Sequence, residues 1–301
     1  MLYILIIGCS TSSDDFPRKS IQLYVVFSPG GGTDTQARII SKYANRYFDE
    51  ELVIVNKSGG GGQVGWNEFS KVKPDGYILT AYNLPHIITQ PLVGSTSFSI
   101  DTFEPIVNWG GDPTVFAVSS ESDIKTLNDL ITKAKQNPAS ITIGHSGKYV
   151  GQHLAVLQLE KAAGIELEDV SFQGSAEAYS ALLGNHIDVV AGNLSGITRL
   201  DTDVRRLGIA TEDRHLLAPD IPTVAELGYP DVIMSTDRGI AARKGTPKEV
   251  IETLEEGFLK LINDEEFIKE MEQAGAGTLL MNREETLKEI EKRKKEYERL
   301  L

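Results

Sequence analysis

Along the chain, short apolar runs alternate with longer stretches in which apolar residues recur every three or four positions. Ile21-Gln22-Leu23-Tyr24-Val25-Val26-Phe27 predicts a strand, and Ala37, Ile40, Ala44 and Tyr47 form one stripe of a following helix. Between them lies Ser28-Pro29-Gly30-Gly31-Gly32-Thr33-Asp34, in which Thr33 and Gln36 have capping-box spacing. Further strands are expected over 52–55, over 77–81 after the turn Pro74-Asp75-Gly76, and over 116–118, 140–144, 170–172 and 187–191. Helices are expected over 127–135, over 152–163 with Gly164 as its terminating glycine, and over 176–183 before Gly184. The last third reads as helical. Thr246-Pro247-Lys248-Glu249 combines a capping box with proline at the first helical position, and two more helices are expected over 265–273 and 283–300. Alternating strands and helices predict an α/β fold with parallel sheet covered by helices.

Composition narrows the possible partners. The 301 residues are 41% hydrophobic and 24% charged, with a formal net charge of -13. An acidic chain lacks the basic face that nucleic acid requires, so no nucleic-acid partner is expected. The lone cysteine, Cys9, follows the uncharged apolar run Met1 to Gly8 and precedes a polar tether. Ile6-Ile7-Gly8-Cys9 resembles a bacterial lipobox, although no Lys or Arg precedes the run. The expectation is a lipidated Cys9, with residues 1–16 a signal remnant and tether. The run is too short to span a membrane, and acyl chains on Cys9 would supply the anchor to the bilayer.

The strand–glycine loop–helix unit is a natural anion cradle. Glycines leave the backbone approachable, and a helix N-terminus offers unpaired N–H groups and partial positive charge. The device recurs at Gly144-His145-Ser146-Gly147-Lys148 and at Phe172-Gln173-Gly174-Ser175-Ala176. In open α/β sheets such loops meet beyond the carboxyl ends of the strands. Asn83 and Asn193, each just after a strand run, are candidate ligand contacts or turn caps, and Arg238 and Lys148 are the candidate cations. Asp34 either stabilises its own helix start or meets an ammonium group on the ligand. His86, His145 and His153 have no metal-ligand spacing, and no metal or cofactor is expected. The glycines are followed by no Gly-Lys-Ser/Thr, and G-x-G-x-x-G and G-x-S-x-G are absent, so no enzyme is expected. The residues leave three readings open: a transport receptor, a ligand-presenting receptor for a membrane sensor kinase, and, last, an enzyme holding an anionic metabolite.

In order and spacing these motifs resemble the substrate-binding receptors of tripartite tricarboxylate transporters, the Bug-type extracytoplasmic solute receptors. The residues that carry the resemblance are Phe27 to Asp34 with Ala37-Arg38, Asn56 to Gly65, and Pro74-Asp75-Gly76-Tyr77. Further along they are Ser146-Gly147 with His153-Leu154-Ala155, Gln173 to Ala176, Pro219 to Glu226, and Gly245-Thr246-Pro247. The resemblance implies a two-lobed, periplasmic-binding-protein-like (type II) fold with the ligand cleft between the lobes. Lobe 1 would comprise 17–117 plus 236–301 and lobe 2 118–235, with crossovers near Val118 and Ser235. It implies a monomeric receptor, lipid-anchored on the outer face of the cell membrane, that grips a small carboxylate and delivers it to a membrane permease. Phe27, Pro29, Gly30, Gly31, Gly32, Thr33, Asp34, Asn83, Ser146, Gly147, Lys148, Gln173, Gly174, Ala176, Asn193 and Arg238 are the expected ligand-binding residues. The chain departs from the family pattern at Ser58 and Arg243, where proline is usual, at Lys148 and Tyr149, and at Asp237.

Overall fold

The computed structural model describes residues 16–301, so Cys9 and the lipobox-like run lie outside the described residues. Strand β1 (Ile21–Val25) lies between β2 (Leu52–Asn56) and β3 (Ile78–Leu84), parallel to both, with helix α1 (Gly32–Phe48) following β1. Helices α2 (Gln63–Phe69) and α3 (His86–Val93) flank β3 in sequence. Strand β4 (Phe103–Ser119) is 17 residues long and leads to α4 (Leu127–Gln136). The second half alternates β5 (Thr142–His145), α5 (Gly151–Ala163), β6 (Glu168–Ser171), α6 (Ser175–Leu183), β7 (Val189–Asn193) and the short α7 (Leu194–Thr198). Strands β8 (Val204–Ile209) and β9 (Ser235–Arg243) precede the closing helices α8 (Lys248–Ile262), α9 (Glu265–Gln273) and α10 (Arg283–Leu300).

The strands run β2-β1-β3-β9-β4-β7-β5-β6, with β8 paired to β4. Two halves meet on β4. From Phe103 to Pro113 it pairs antiparallel with β9, and from Thr114 onward it pairs with β7 and β8. The partner exchange therefore falls between Pro113 and Thr114, a few residues before the crossover that the sequence places near Val118. One apolar cluster, including Leu23, Ile40, Trp109, Leu254 and Phe258, fills the first half. Another, including Val115, Tyr179, Leu182 and Val190, fills the second.

Local chemistry explains most boundaries. Thr126 accepts from the Asp129 amide while Asp129 accepts from the Thr126 amide, a capping box that opens α4. Gly164 ends α5 at φ 62°, a left-handed conformation that suits glycine. Two expected caps are corrected. Helix α1 starts at Gly32 with Gly31 as its N-cap, and Gln36 instead accepts from the Trp109 indole N–H at 2.9 Å. Helix α8 has Pro247 as its N-cap, while the Thr246 hydroxyl donates to the Arg243 carbonyl at 2.7 Å. The reading of the last third as helical misses β8 and β9. Strand β9 has little apolar alternation to betray it, because Thr236, Asp237 and Arg238 are buried polar residues.

Candidate functional site

The loops at the carboxyl ends of β1, β3, β5, β6 and β7 converge on one narrow cavity of about 20 Å³. Phe27, Gly31, Gly32 and Thr33 come from the first of these loops, and Asn83 and His86 from the β3–α3 corner. Ser146, Gln152, Ser175 and Asn193 line it from the second half, and Arg238 of β9 completes it. Both halves thus contribute, as expected for a crevice beyond strand ends.

The N-termini of α1, α5 and α6 border the cavity, as do those of the shorter α3 and α7, and none of the five is capped by a side chain. The N-cap positions of α1, α5 and α6 are Gly31, Val150 and Gly174, without a side-chain cap hydrogen bond. Away from the cavity, α4, α9 and α10 are capped by Thr126, Asp264 and Asn282, while α2 and α8 have no side-chain cap. A helix start that lacks a capping oxygen leaves its first amides for another acceptor. Such starts gathered on one cavity provide positive potential without a cluster of basic side chains.

The polar side chains are joined to one another. Asn83 donates to the Thr33 hydroxyl at 3.1 Å, and Arg238 Nε donates to the same oxygen at 3.1 Å. Arg238 Nη1 reaches Asp112 Oδ2 at 2.6 Å in an ion pair whose side chains are 3% and 1% exposed. Asp112 also accepts from the Ser195 amide at 3.0 Å and from the Ser195 hydroxyl. On the other side Ser146 donates to Gln152 at 3.0 Å, Gln152 donates to Asn193, and Asn193 donates to the Asp112 carbonyl at 2.6 Å. The relay meets on Asp112, one residue before β4 changes partners. The cavity's cation is therefore already balanced by a buried carboxylate.

His86 packs edge-on against Phe27 and Trp66, with ring centroids 5.6 and 6.3 Å away. Burial first, and then the charge of Arg238, push its pKa down to about 3, so the imidazole is neutral at pH 7.

Of the expected ligand residues, Phe27, Gly31, Gly32, Thr33, Asn83, Ser146, Asn193 and Arg238 are brought together around this cavity. The others lie beside it. Pro29 and Gly30 are exposed. Asp34 accepts from the Gly30 amide at 2.9 Å, from Arg38 at 2.9 Å and from Asn56 at 2.8 Å, so its carboxylate fastens the glycine loop to β2. Burial works to raise the Asp34 pKa, but these hydrogen bonds hold it below the ordinary value. Gln173 is exposed with its amide oxygen near Gly59, Gly174 is the N-cap of α6, and Ala176 lies in that helix's first turn.

Lys148 is half-exposed and ion-paired with Asp169, not directed at the cavity. Asp169 also meets His145 and His153, and candidate metal-ligating atoms of these three lie within 4.8 Å of one another. Sequence spacing hides this cluster because Asp169 comes from a separate strand. However, His145 Nδ1 accepts from the Gly147 amide at 3.3 Å and His153 Nδ1 from the Tyr149 amide at 3.0 Å. That leaves the proton of each neutral ring on Nε2, facing Asp169. Metal-bound histidines instead donate with their second nitrogen. The group is an ion cluster that ties down loop 146–150. Burial first, and then the Lys148 charge, push His145 down to about 4, while burial, His145 and Lys148 push His153 down to about 3.

Sequence reasoning missed Gln152, Ser175, Asp112 and Ser195, and weighed His86 only as a metal ligand. Ser175 sits between two expected residues, which was signal enough. Asp112 had none, since its role depends on strand pairing.

Contacts also cross between the halves. Ser28 donates to Glu177 at 2.7 Å, Arg199 donates to Thr35 at 2.9 Å, and Thr89 donates to the Tyr149 carbonyl at 2.7 Å. Among the described residues no helix is long and apolar enough to cross a membrane.

A family profile described as "Tripartite tricarboxylate transporter family receptor" matches residues 36–301. A protein of Pseudomonas sp. (strain P51), described as "UPF0065 protein in tcbD-tcbE intergenic region", is 30% identical over 269 residues, covering 88% of this chain and 80% of that one. The solved structure of the periplasmic binding protein BugD is 26% identical, with a TM-score of 0.89 over 95% of this chain and 97% of the other. A structure described as "R. palustris Rpa4515 with adipate" is 24% identical, covers 95% and 97%, and has a TM-score of 0.88, a likeness of fold.

Proposed function

This chain belongs to the tripartite tricarboxylate transporter receptor family, and on that premise we propose that it captures a small carboxylate outside the cytoplasm and passes it to a membrane permease. The observation that carries the reading is the set of uncapped N-termini of α1, α5 and α6 around a cavity whose cation is already paired. Micromolar affinity is about 8 kcal/mol. A hydrogen bond to a charged group contributes roughly 1.5–3 kcal/mol, and a helix terminus about 0.3–1 kcal/mol. A carboxylate shared by two or three termini reaches that total without an unpaired arginine. The neighbour solved with adipate has the same fold and is consistent with this ligand class.

The lobes of this reading are 17–117 plus 236–301 and 118–235, joined through β4 and β9, and the protein acts as a monomer. Cys9 is its site of lipidation, and the acyl chains hold it to the outer face of the membrane beside the permease.

A thermal-shift screen against mono-, di- and tricarboxylates tests the reading, with Gly31→Leu as the paired variant. Gly31 has φ -69°, which any residue adopts, and a Cβ there meets only the Ser28 carbonyl oxygen, at 3.2 Å, so the loop need yield by only a few tenths of an ångström while the side chain obstructs the α1 amides. Stabilisation of the parent by at least one carboxylate and not of the variant is expected. Equal shifts in both proteins overturn the assignment of the cradle.

A further inference from the structure

The polar side chains around the cavity are almost fully committed to one another. Thr33, Asn83, Arg238, Ser146, Gln152 and Asn193 belong to the relay that meets on Asp112. His86 stands outside this arrangement. It is 1% exposed, it lines the cavity, and its Nδ1 is buried with no hydrogen-bond partner among the described residues. A buried polar atom without a partner costs about 1–3 kcal/mol, so such an atom on a residue that lines a binding cavity needs an explanation. Its place also matters. The Phe27 ring against which His86 packs belongs to the residue that opens the glycine loop, so the imidazole lies on the same half as the α1 cradle.

We propose that His86 is a specificity-determining residue that hydrogen-bonds a hydroxyl group carried near the ligand's carboxylate, making hydroxy acids the favoured substrate class. The inference rests on the carboxylate reading above and adds to it the second functional group. A neutral imidazole has one donor and one acceptor, as a hydroxyl does. An ammonium group at this place would face the positive charge of Arg238, which already disfavours a charged His86. A second carboxylate would lose its hydration against the Phe27 and Trp66 rings, and desolvating a charge costs far more than desolvating a hydroxyl.

Matched pairs of acids that differ by one hydroxyl provide the test: malate and succinate, lactate and propionate, citrate and tricarballylate. Titration calorimetry on the parent protein, His86→Leu and His86→Gln gives the hydroxy-to-deoxy affinity ratio for each pair. In the parent, the pair that binds should favour the hydroxy acid by about tenfold, as expected for one good hydrogen bond. The ratio should fall to within about twofold of unity in His86→Leu and be partly retained in His86→Gln, whose amide still hydrogen-bonds. A parent ratio near unity overturns the proposal without any variant, and so does a preference that survives in His86→Leu. Binding of both members with equal affinity leaves the carboxylate reading standing. Binding of neither member of any pair removes that reading and this proposal together.

Discussion

Replacing Asp112 with Asn should weaken the fold and strengthen ligand binding at once. Asp112 is 1% exposed, and its carboxylate holds Arg238, the Ser195 amide and the Ser195 hydroxyl. Removing the charge leaves the Arg238 guanidinium buried without a counter-ion, a change that costs about 3–5 kcal/mol when a buried pair is broken from one side. The same change frees a positive charge at the ligand. A Cβ on Gly32 would lie 3.0 Å from Arg238 Nη2, so the guanidinium adjoins the N-terminus of α1, where the carboxylate is proposed to dock. At a separation of about 5 Å and an effective dielectric constant of about 20, two unit charges attract by about 3 kcal/mol. Half of that, after desolvation, corresponds to roughly tenfold tighter binding. Urea unfolding should therefore show lost stability, and calorimetry with the best carboxylate of the screen should show a lower Kd that rises more steeply with salt than in the parent. Unchanged stability would refute the buried pair. Weaker binding with the parent's salt dependence would refute the placement of Arg238 at the ligand.

Two further perturbations probe the loops and the buried histidines. Gly147→Ala should lower carboxylate affinity roughly 5- to 150-fold. Its Cβ would lie 2.6 Å from the Gly61 Cα across the cleft, and overpacking costs about 1–3 kcal/mol; calorimetry showing the parent's Kd would count against closure through this contact. Gly164→Ala is its control, because Gly164 also has positive φ but a Cβ there meets nothing within 4 Å, so it should lose stability and keep its affinity. The protein should also lose stability as pH falls from about 6.5 towards 4. His86, His145 and His153 have folded pKa values of about 3, 4 and 3, below the ordinary 6.5, so the unfolded chain takes up more protons in this window. Each such histidine contributes a slope of up to about 1.4 kcal/mol per pH unit, and urea midpoints that stay flat from pH 6.5 to 4.5 would contradict the buried neutral rings.

The glycine loops were legible because their function is local. A strand end, a loop without side chains and a helix start are adjacent in sequence, and the α1, α5 and α6 loops were found this way. Helices with amphipathic stripes were equally plain, α9 and α10 to the residue. What escaped depends on pairing between distant segments. Strand β9 lies between β3 and β4, a central position that usually requires apolar residues, yet it carries buried polar side chains: Asp237 and Arg238 are paired with Arg293 and Asp112, while the Thr236 hydroxyl has no hydrogen-bond partner among the described residues. Asp112 lies within Gly110-Gly111-Asp112-Pro113, a run without apolar residues that nonetheless falls in the middle of β4. Thr33 fitted a helix cap by spacing, but its hydroxyl serves Asn83 and Arg238, and the cap position fell to Gly31. A side-chain cap on α1 would have occupied the amides that the site leaves open.

Strand β9 also bears on where the two halves can pivot. Successive side chains of a strand point to opposite faces. Arg238 accordingly faces the cavity and Asp112, while Asp237 faces α10, where Arg293 Nη2 lies 2.5 Å from its carboxylate. Both carboxylates are almost fully buried, so a slip of β9 by one residue would exchange the faces and leave two buried charges unpaired. The strand is thereby locked to the first half from both sides. Its pairing with β4 ends at Pro113 opposite Ser235, and the next residue of β4, Thr114, belongs to the second half. Under the proposed two-lobe reading, motion between the halves would be taken up at that level, where the two connecting chains pass side by side. Asp112 lies one residue away, bonded to Arg238 of the first half and Ser195 of the second, so the pair that balances the cavity's charge also spans the place where the cleft would bend.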